Sequence, residues 1–230
     1  WLDVNKGTCQ GSVSGPYLFN LFINNICINN SCMTPLTKYA DDTTIQVNIF
    51  KFQLDESRDI VNQYFEWSDD NCMPCNLKKC KELCLQKKCK TNCSNAQIDH
   101  ITQVDSLKIL GVTFQSNCRF TEHVRSKLVE ANRCLFVIRS LRKEGYNQAD
   151  IDHLFVSIVL PKITYGLSVY AASSPELTTV QNFLRRCYKR KYISYAIDVN
   201  ELIDKSDRSI FNKIKKNCNH PLYEIMPKIK

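Results

Sequence analysis

The sequence predicts an α+β protein in two parts, antiparallel strands with packed helices over residues 1–118 and helices over 119–230. Three observations predict it. β-forming runs bracket a tight acidic turn at 36–47. After Thr121 the apolar residues settle into a sustained helical period. The charge balance changes in the same region. Lys and Arg number 12 against 12 Asp and Glu in residues 1–120, and 19 against 11 in residues 121–230, so the net charge of +8 belongs to the second part.

The elements follow in order. Gly7, Gly11 and Gly15 make a loop whose backbone can approach a ligand closely. The apolar run Tyr17–Ile23 then reads as a helix over 16–26, with Pro16 in its first turn where a missing N–H costs nothing. Leu36–Ala40 and Thr43–Val47 flank Asp41 and Asp42 as an antiparallel hairpin. Ile60, Val61, Tyr64 and Phe65 fall at helical spacing within 55–70. Residues 81–86 and 107–114 read as strands, and a domain boundary is expected near 115–121.

Beyond that boundary, Val124, Leu128, Ala131, Leu135, Ile138 and Leu141 mark one face of a long helix, with Thr121 as N-cap and Gly145 as stop. Leu177, Val180, Leu184 and Cys187 repeat the division at 176–192. Arg125, Lys127, Arg139, Arg142 and Lys143 lie largely off the first stripe; Arg185, Arg186, Lys189, Arg190 and Lys191 lie off the second. The stripes are core, and the basic faces suit a polyanion, because Lys and Arg neutralise phosphates and release counterions. The chain is long enough for a sizeable core. No uninterrupted apolar run reaches the roughly 18 residues of a membrane span. Leu154–Ala172 comes closest and is broken by Pro161 and Lys162, so no membrane partner is expected.

Two adjacent carboxylates at one turn repel each other. Asp41 and Asp42 therefore read either as a solvated turn or as hard oxygen ligands for Mg²⁺ or Mn²⁺. Cysteine is abundant, at 13 residues, and the odd count without a secretory signal argues for reduced thiols in the nucleus or cytoplasm. Cys72, Cys75, Cys80, Cys84, Cys89 and Cys93 are dense enough for zinc, with His100 beyond them. Against zinc, Cys84 alternates within an expected strand, and no Gly occurs between 16 and 110 to form a knuckle turn.

Gly7-x-x-Gln10-Gly11-Ser12-x-x-Gly15-Pro16, followed by Tyr39-Ala40-Asp41-Asp42, resembles a reverse transcriptase of the non-LTR (LINE-like) retrotransposon kind. Further matches keep the family's order. Asn76-Leu-Lys-Lys79 resembles the Asn-x-x-Lys segment after the palm helix, and Leu107-Lys-Ile-Leu-Gly111-Val112 the primer-grip hairpin. Leu160–Gly166 resembles the segment beyond the thumb, and His220-Pro221-Leu222 is similar to a motif near the end of such proteins.

The resemblance implies a partial right-hand polymerase palm followed by a thumb-like helical region. It implies RNA-directed DNA polymerisation by a two-metal mechanism, with RNA template, DNA primer and deoxynucleoside triphosphates as partners. Asp41 is then a metal ligand, and Asp42 shares the metal or orients the hairpin. Gln10, Gly11, Ser12 and Gly15 contact nucleotide and template, and Lys79 either neutralises the leaving pyrophosphate or is an ordinary surface lysine. Tyr39 is expected to pack beneath the turn. Cys9 departs from the proline usual before the Gln-Gly pair. The family's further catalytic aspartate lies on an earlier strand, and Asp3 is too near the loop to be it. The chain is therefore expected to be a fragment, inactive alone, that works with an upstream part of the same polyprotein. The other reading is a non-catalytic nucleic-acid-binding remnant that uses only the basic helices.

Overall fold

A computed structural model describes residues 11–26, 28, 36–49, 55–85, 98–171, 174–220, 222–223 and 226. Gly7, Cys9, Gln10, Gln86, Cys89, Cys93 and Pro221 lie outside the described residues. Helices and small two-stranded sheets divide into two compact units, Trp1–Glu82 with Lys90–Val104, and Leu83–Cys89 with Asp105–Lys230.

The first unit holds α1 (Gly15–Ile23), β1 (Leu36–Tyr39), β2 (Asp42–Ile45), α2 (Ser57–Asp70), β3 (Lys81–Glu82) and β4 (Thr102–Gln103). β1 and β2 are antiparallel, whereas β3 and β4 pair in parallel. The strand expected over 81–86 is thus two residues of pairing, extended by one bond from Val104 N–H to the Glu82 carbonyl. Its core gathers Val61, Ile98 and Ile101, with Ile45, Phe65 and Cys80 against them. Phe22 of α1 meets Trp67 of α2 with ring centroids 5.9 Å apart.

The second unit opens with β5 (Ser106–Ile109) and β6 (Val112–Gln115), an antiparallel hairpin. Leu110 (φ +46°) and Gly111 (φ +84°) form its two-residue loop, the sign pattern of a type I′ turn. The hairpin at 106–115 groups with the helices that follow it. α3 (Thr121–Lys143) follows, with Val124, Ala131, Leu135 and Ile138 buried as its periodicity required. It stops at Gly145 (φ +91°), where Gly145 N–H bonds the Arg142 carbonyl and Tyr146 N–H the Leu141 carbonyl, a Schellman cap. Thr121 is not the N-cap. That position is Phe120, and the Thr121 hydroxyl donates to buried Glu176 at 2.6 Å.

The next segment, within the region expected to be helical but without an individual element assigned to it, runs through α4 (Gln148–Leu154), a π turn (Phe155–Val159) and α5 (Leu160–Thr164), then α6 (Leu167–Tyr170). Ile151, Phe155, Val159, Ile163 and Leu167 are each 0–1% exposed. They recur every fourth residue, and each such step overshoots an α-turn of 3.6 residues. The wider π turn takes up part of that drift and precedes Pro161, which has no N–H to give. The run closest in composition to a membrane span is therefore core, and no helix among the described residues is long and apolar enough to cross a membrane. α7 (Ser174–Lys189) and α8 (Val199–Lys216) complete the unit. Val180, Phe183, Leu184 and Cys187 of α7 enter the same core, each burial contributing about 1.5–3 kcal/mol for a large side chain.

Candidate functional site

The pairs Tyr39↔Asp42 and Lys38↔Thr43 fix the acidic hairpin's register and leave Ala40 and Asp41 as its loop. Ala40 has φ +50°, the positive value that primed hairpin turns require at their first loop position. Directly paired residues share a face, so Leu36, Lys38, Thr43 and Ile45 look one way and Thr37, Tyr39, Asp42 and Thr44 the other. The first face is tied down. Thr43 Oγ1 accepts a hydrogen bond from the Tyr64 hydroxyl of α2 at 3.1 Å, and Ile45 packs on the Val61 cluster. Lys38 Nζ donates to the Ile23 carbonyl at 2.7 Å, placing a cation on the C-terminal end of α1.

The second face is open. Asp41 and Asp42 are exposed at the tip. Tyr39 does not pack beneath the turn. It lies opposite Asp42 on the open face and is 65% exposed, because the two-residue loop dictates that register.

Gly11 (φ +86°) precedes α1, and among the described residues no atom lies within 4 Å of where its Cβ would stand. Ser12 Oγ accepts from Gly15 N–H at 3.1 Å, so this hydroxyl satisfies a backbone donor at the helix start, and Gly15 is buried. Lys79 is exposed in the turn after α2, where Lys79 and Cys80 N–H both reach the Asn76 carbonyl. The Lys38 contact links the hairpin to the helix that begins at the glycine loop.

Two neighbouring exposed carboxylates are hard donors that suit one edge of a divalent-ion site. They do not close one: among the described residues no three His, Cys, Asp or Glu side chains converge as metal ligands. The same observation leaves Cys72, Cys75, Cys80 and Cys84 without a zinc site among the described residues. Cys75 instead lies 3.2 Å from Ser68 Oγ under α2, and Ser68 donates to the Met73 carbonyl. Burial raises the Tyr64 hydroxyl pKa, against the bond to Thr43 and with help from nearby Cys75 and Cys80.

The basic side chains divide by what they touch. Arg139 Nε donates to the Tyr192 hydroxyl at 2.8 Å with its guanidinium over that ring. Arg142 Nη1 donates to the Arg190 and Lys191 carbonyls at 3.0 and 3.3 Å, past the end of α7. Both read as phosphate contacts in the sequence; both are engaged in joining α3 to α7. Arg125, Lys143, Arg185, Arg186, Lys189 and Arg190 are exposed. Arg186, Arg190 and Arg139 also surround the buried Cys187: burial outweighs their opposing pull and leaves its thiol raised to about 11. Lys191 (φ +57°) is the left-handed residue of α7's Schellman cap, with Tyr192 N–H bonded to the Cys187 carbonyl at 3.0 Å.

Residues 2–114 match the family model described as reverse transcriptase (RNA-dependent DNA polymerase), a span that includes the glycine loop and the acidic hairpin. The chain is similar to the retrovirus-related Pol polyprotein from type-1 retrotransposable element R1 of Nasonia vitripennis. Those two are 26% identical over 200 aligned positions, covering 79% of this chain and 58% of that protein. It is also similar to the RNA-directed DNA polymerase from mobile element jockey of Drosophila melanogaster, 23% identical over 188 positions, covering 74% of this chain and 20% of that protein. No solved structure matches significantly. The chain thus spans under two thirds of either relative. Its loop, hairpin and relatives agree, and residues 2–114 are a reverse transcriptase domain of the non-LTR retrotransposon kind.

Proposed function

We propose that this chain is part of an RNA-directed DNA polymerase, with a right-hand palm over 1–118 and a basic, thumb-like region over 119–230. The observation that carries the reading is the exposed Asp41–Asp42 pair at the tip of a hairpin anchored from its other face. Divalent ions, Mg²⁺ or Mn²⁺, would supply activation of the primer hydroxyl and stabilisation of the leaving pyrophosphate. Asp41, in the loop, is the residue free to reach such ions; Asp42, in the first β2 pair, shares them or sets the tip's orientation. Gly11, Gly15 and Ser12, with Gln10, form the nucleotide and template side, and Lys79 faces the leaving group. Arg125, Lys143, Arg185, Arg186, Lys189 and Arg190 contact the nucleic-acid backbone, with Arg139 and Arg142 holding the helices that present them. Template RNA, primer DNA and deoxynucleoside triphosphates are the partners, in the nucleus or cytoplasm.

Two carboxylates on one hairpin do not clamp two ions. The relatives run well beyond the span they share with this chain, and a third acidic ligand and the rest of the nucleotide pocket are assigned to such a further part of the polyprotein, so the 230 residues are expected not to polymerise alone. Primer extension on an RNA template tests this with three proteins: the chain, an N-terminally extended chain, and the extended chain with Asp41→Ala. Activity only in the unaltered extended protein is expected. Extension by the chain alone overturns the incompleteness, and activity surviving Asp41→Ala overturns the metal site. A second reading, nucleic-acid binding without catalysis, is favoured by the +8 excess lying in residues 121–230, beyond the matched domain. An extended protein that binds primer–template but never extends it would support that reading.

A further inference from the structure

The β5–β6 hairpin is fastened to the helices at two points. At its tip, the Tyr165 hydroxyl donates to the Leu110 carbonyl. A Cβ added at Gly111 would stand 3.0 Å from the Tyr165 ring, so glycine is what lets the ring approach. On its second strand, Thr113 N–H donates to His123 Nδ1 at 3.3 Å. His123 lies in the first turn of α3, is 1% exposed, and sits 5.1 Å from the Tyr170 ring. A neutral imidazole that accepts at Nδ1 carries its proton at Nε2. Here Nε2 is buried without a well-formed hydrogen bond to any of the described residues, and the position of a Cβ at Gly166 is 3.9 Å from it.

We infer that His123 is the positioning residue of this hairpin: its neutral ring holds Thr113 N–H in place, and protonation releases the hairpin from the helices. An imidazolium carries N–H on both nitrogens, so a proton at Nδ1 would face the Thr113 N–H, donor against donor. The groups around the ring are Lys127 and Glu130 from α3, Lys108 from β5, the Tyr165 backbone, and the Tyr170 ring. Burial, and then Lys127, hold its pKa below 6.5; the Tyr165 carbonyl and Glu130 oppose this, and Lys108 adds to it. A depressed pKa sets the sign: the latch has full strength above about pH 6.5 and weakens as pH falls toward and through the folded value.

Hydrogen exchange of the 230-residue chain tests it, read as protection of residues 106–115 against residues 131–138 between pH 7.5 and 5.0. In the wild type, hairpin protection should fall with pH while the α3 segment holds. Linkage caps the loss at about thirtyfold by pH 5.0, where a released ring of pKa about 6.5 is roughly 97% protonated. His123→Asn keeps a neutral acceptor near the Nδ1 position and should abolish the pH dependence. His123→Phe should lower hairpin protection at every pH; if it does not fold, the Asn variant decides. A pH-independent wild-type hairpin, an Asn variant that behaves like wild type, or parallel loss in 131–138 each overturns the inference. Its bearing on nucleic acid rests on the polymerase reading. Fluorescence anisotropy with an RNA–DNA hybrid separates the two: absence of binding by the wild type at pH 7.5 counts against that reading and leaves the latch standing. Exchange that fails while the hybrid binds counts against the latch alone.

Discussion

Arg142 and Arg185 sit on neighbouring helices and carry the same charge, yet the structure gives them different work. Arg142 Nη1 bonds two carbonyls past the end of α7, at 3.0 and 3.3 Å. Such carbonyls have no intrahelical partner, and a cation there gains from the helix dipole. Because the site is exposed, the dipole contribution is about 0.3–1 kcal/mol, and the hydrogen bonds raise the expected total to roughly 1 kcal/mol. Arg142→Ala should therefore lower Tm by about 4 °C for a unit of this size. It should change the salt dependence of nucleic-acid affinity little. Arg185→Ala should do the reverse, leaving Tm within about 1 °C. If Arg185 neutralises one phosphate, the log–log slope of affinity against salt should flatten by about 0.9. Thermal unfolding by circular dichroism and anisotropy titrations between about 50 and 200 mM salt read both quantities. An Arg142→Ala protein with unchanged Tm and a flattened slope would refute the division.

Tyr64→Phe removes the bond that ties β2 to α2 and leaves Thr43 Oγ1 without that donor. The first unit should lose about 1 kcal/mol, seen as a lower urea midpoint; no shift would mean the hairpin is held mainly by Lys38 and Ile45. Gly166→Ala puts a Cβ 2.9 Å from Val112 Cγ2 at a residue with φ +72°, so clash and backbone strain together should cost at least about 1–2 kcal/mol, and an unchanged Tm would contradict the close approach of these segments. For Asp152, burial raises the carboxyl pKa, but hydrogen bonds from Ser194 and Gln148 outweigh it and leave the pKa below its ordinary value. Its stabilising effect is thus present above about pH 4 and lost as pH falls through the folded value. Asp152→Asn should flatten the acid limb of urea midpoint against pH, and an unaltered limb would assign acid loss elsewhere.

Much of this was legible, for physical reasons. The hairpin at 36–45 announces itself because β-forming runs flank a pair of charges that a strand interior would not bury. α3 announces itself because 23 residues give its period time to show, and Gly145 ends it. Distant partners were not legible. Thr121 has the composition of a cap, but its hydroxyl is taken by a carboxylate 55 residues away. Arg139 and Arg142 were rightly off the apolar stripe, yet nothing local says that their guanidinium groups meet Tyr192 and the end of α7. The segment 148–164 hid behind its fourfold spacing, which fits neither an ideal α-helix nor a strand until a π turn is allowed. α8 does carry a local signal: Asp198 accepts from Asn200 N–H as a cap, and Val199, Ile203, Ile210 and Ile214 share a face.

Tyr39 shows what decides the acidic site. A strand alternates strictly, so pairing fixes at once which residues anchor the hairpin and which are presented. With Tyr39 opposite Asp42, the anchoring contacts fall to Lys38, Thr43 and Ile45. The alternate face is left to Tyr39 and Asp42, and Asp41 escapes the alternation by lying in the loop. A slip of one residue would turn the Asp42 carboxylate toward the face now tied to Tyr64, where burial would disfavour its charged form. It would also swing Lys38 away from the Ile23 carbonyl. The exposure of two like charges is therefore a consequence of register, and register rests on the apolar and hydrogen-bonded contacts of the opposite face. The chemistry proposed for Asp41 and Asp42 depends on Ile45 and Tyr64 as directly as on the carboxylates themselves.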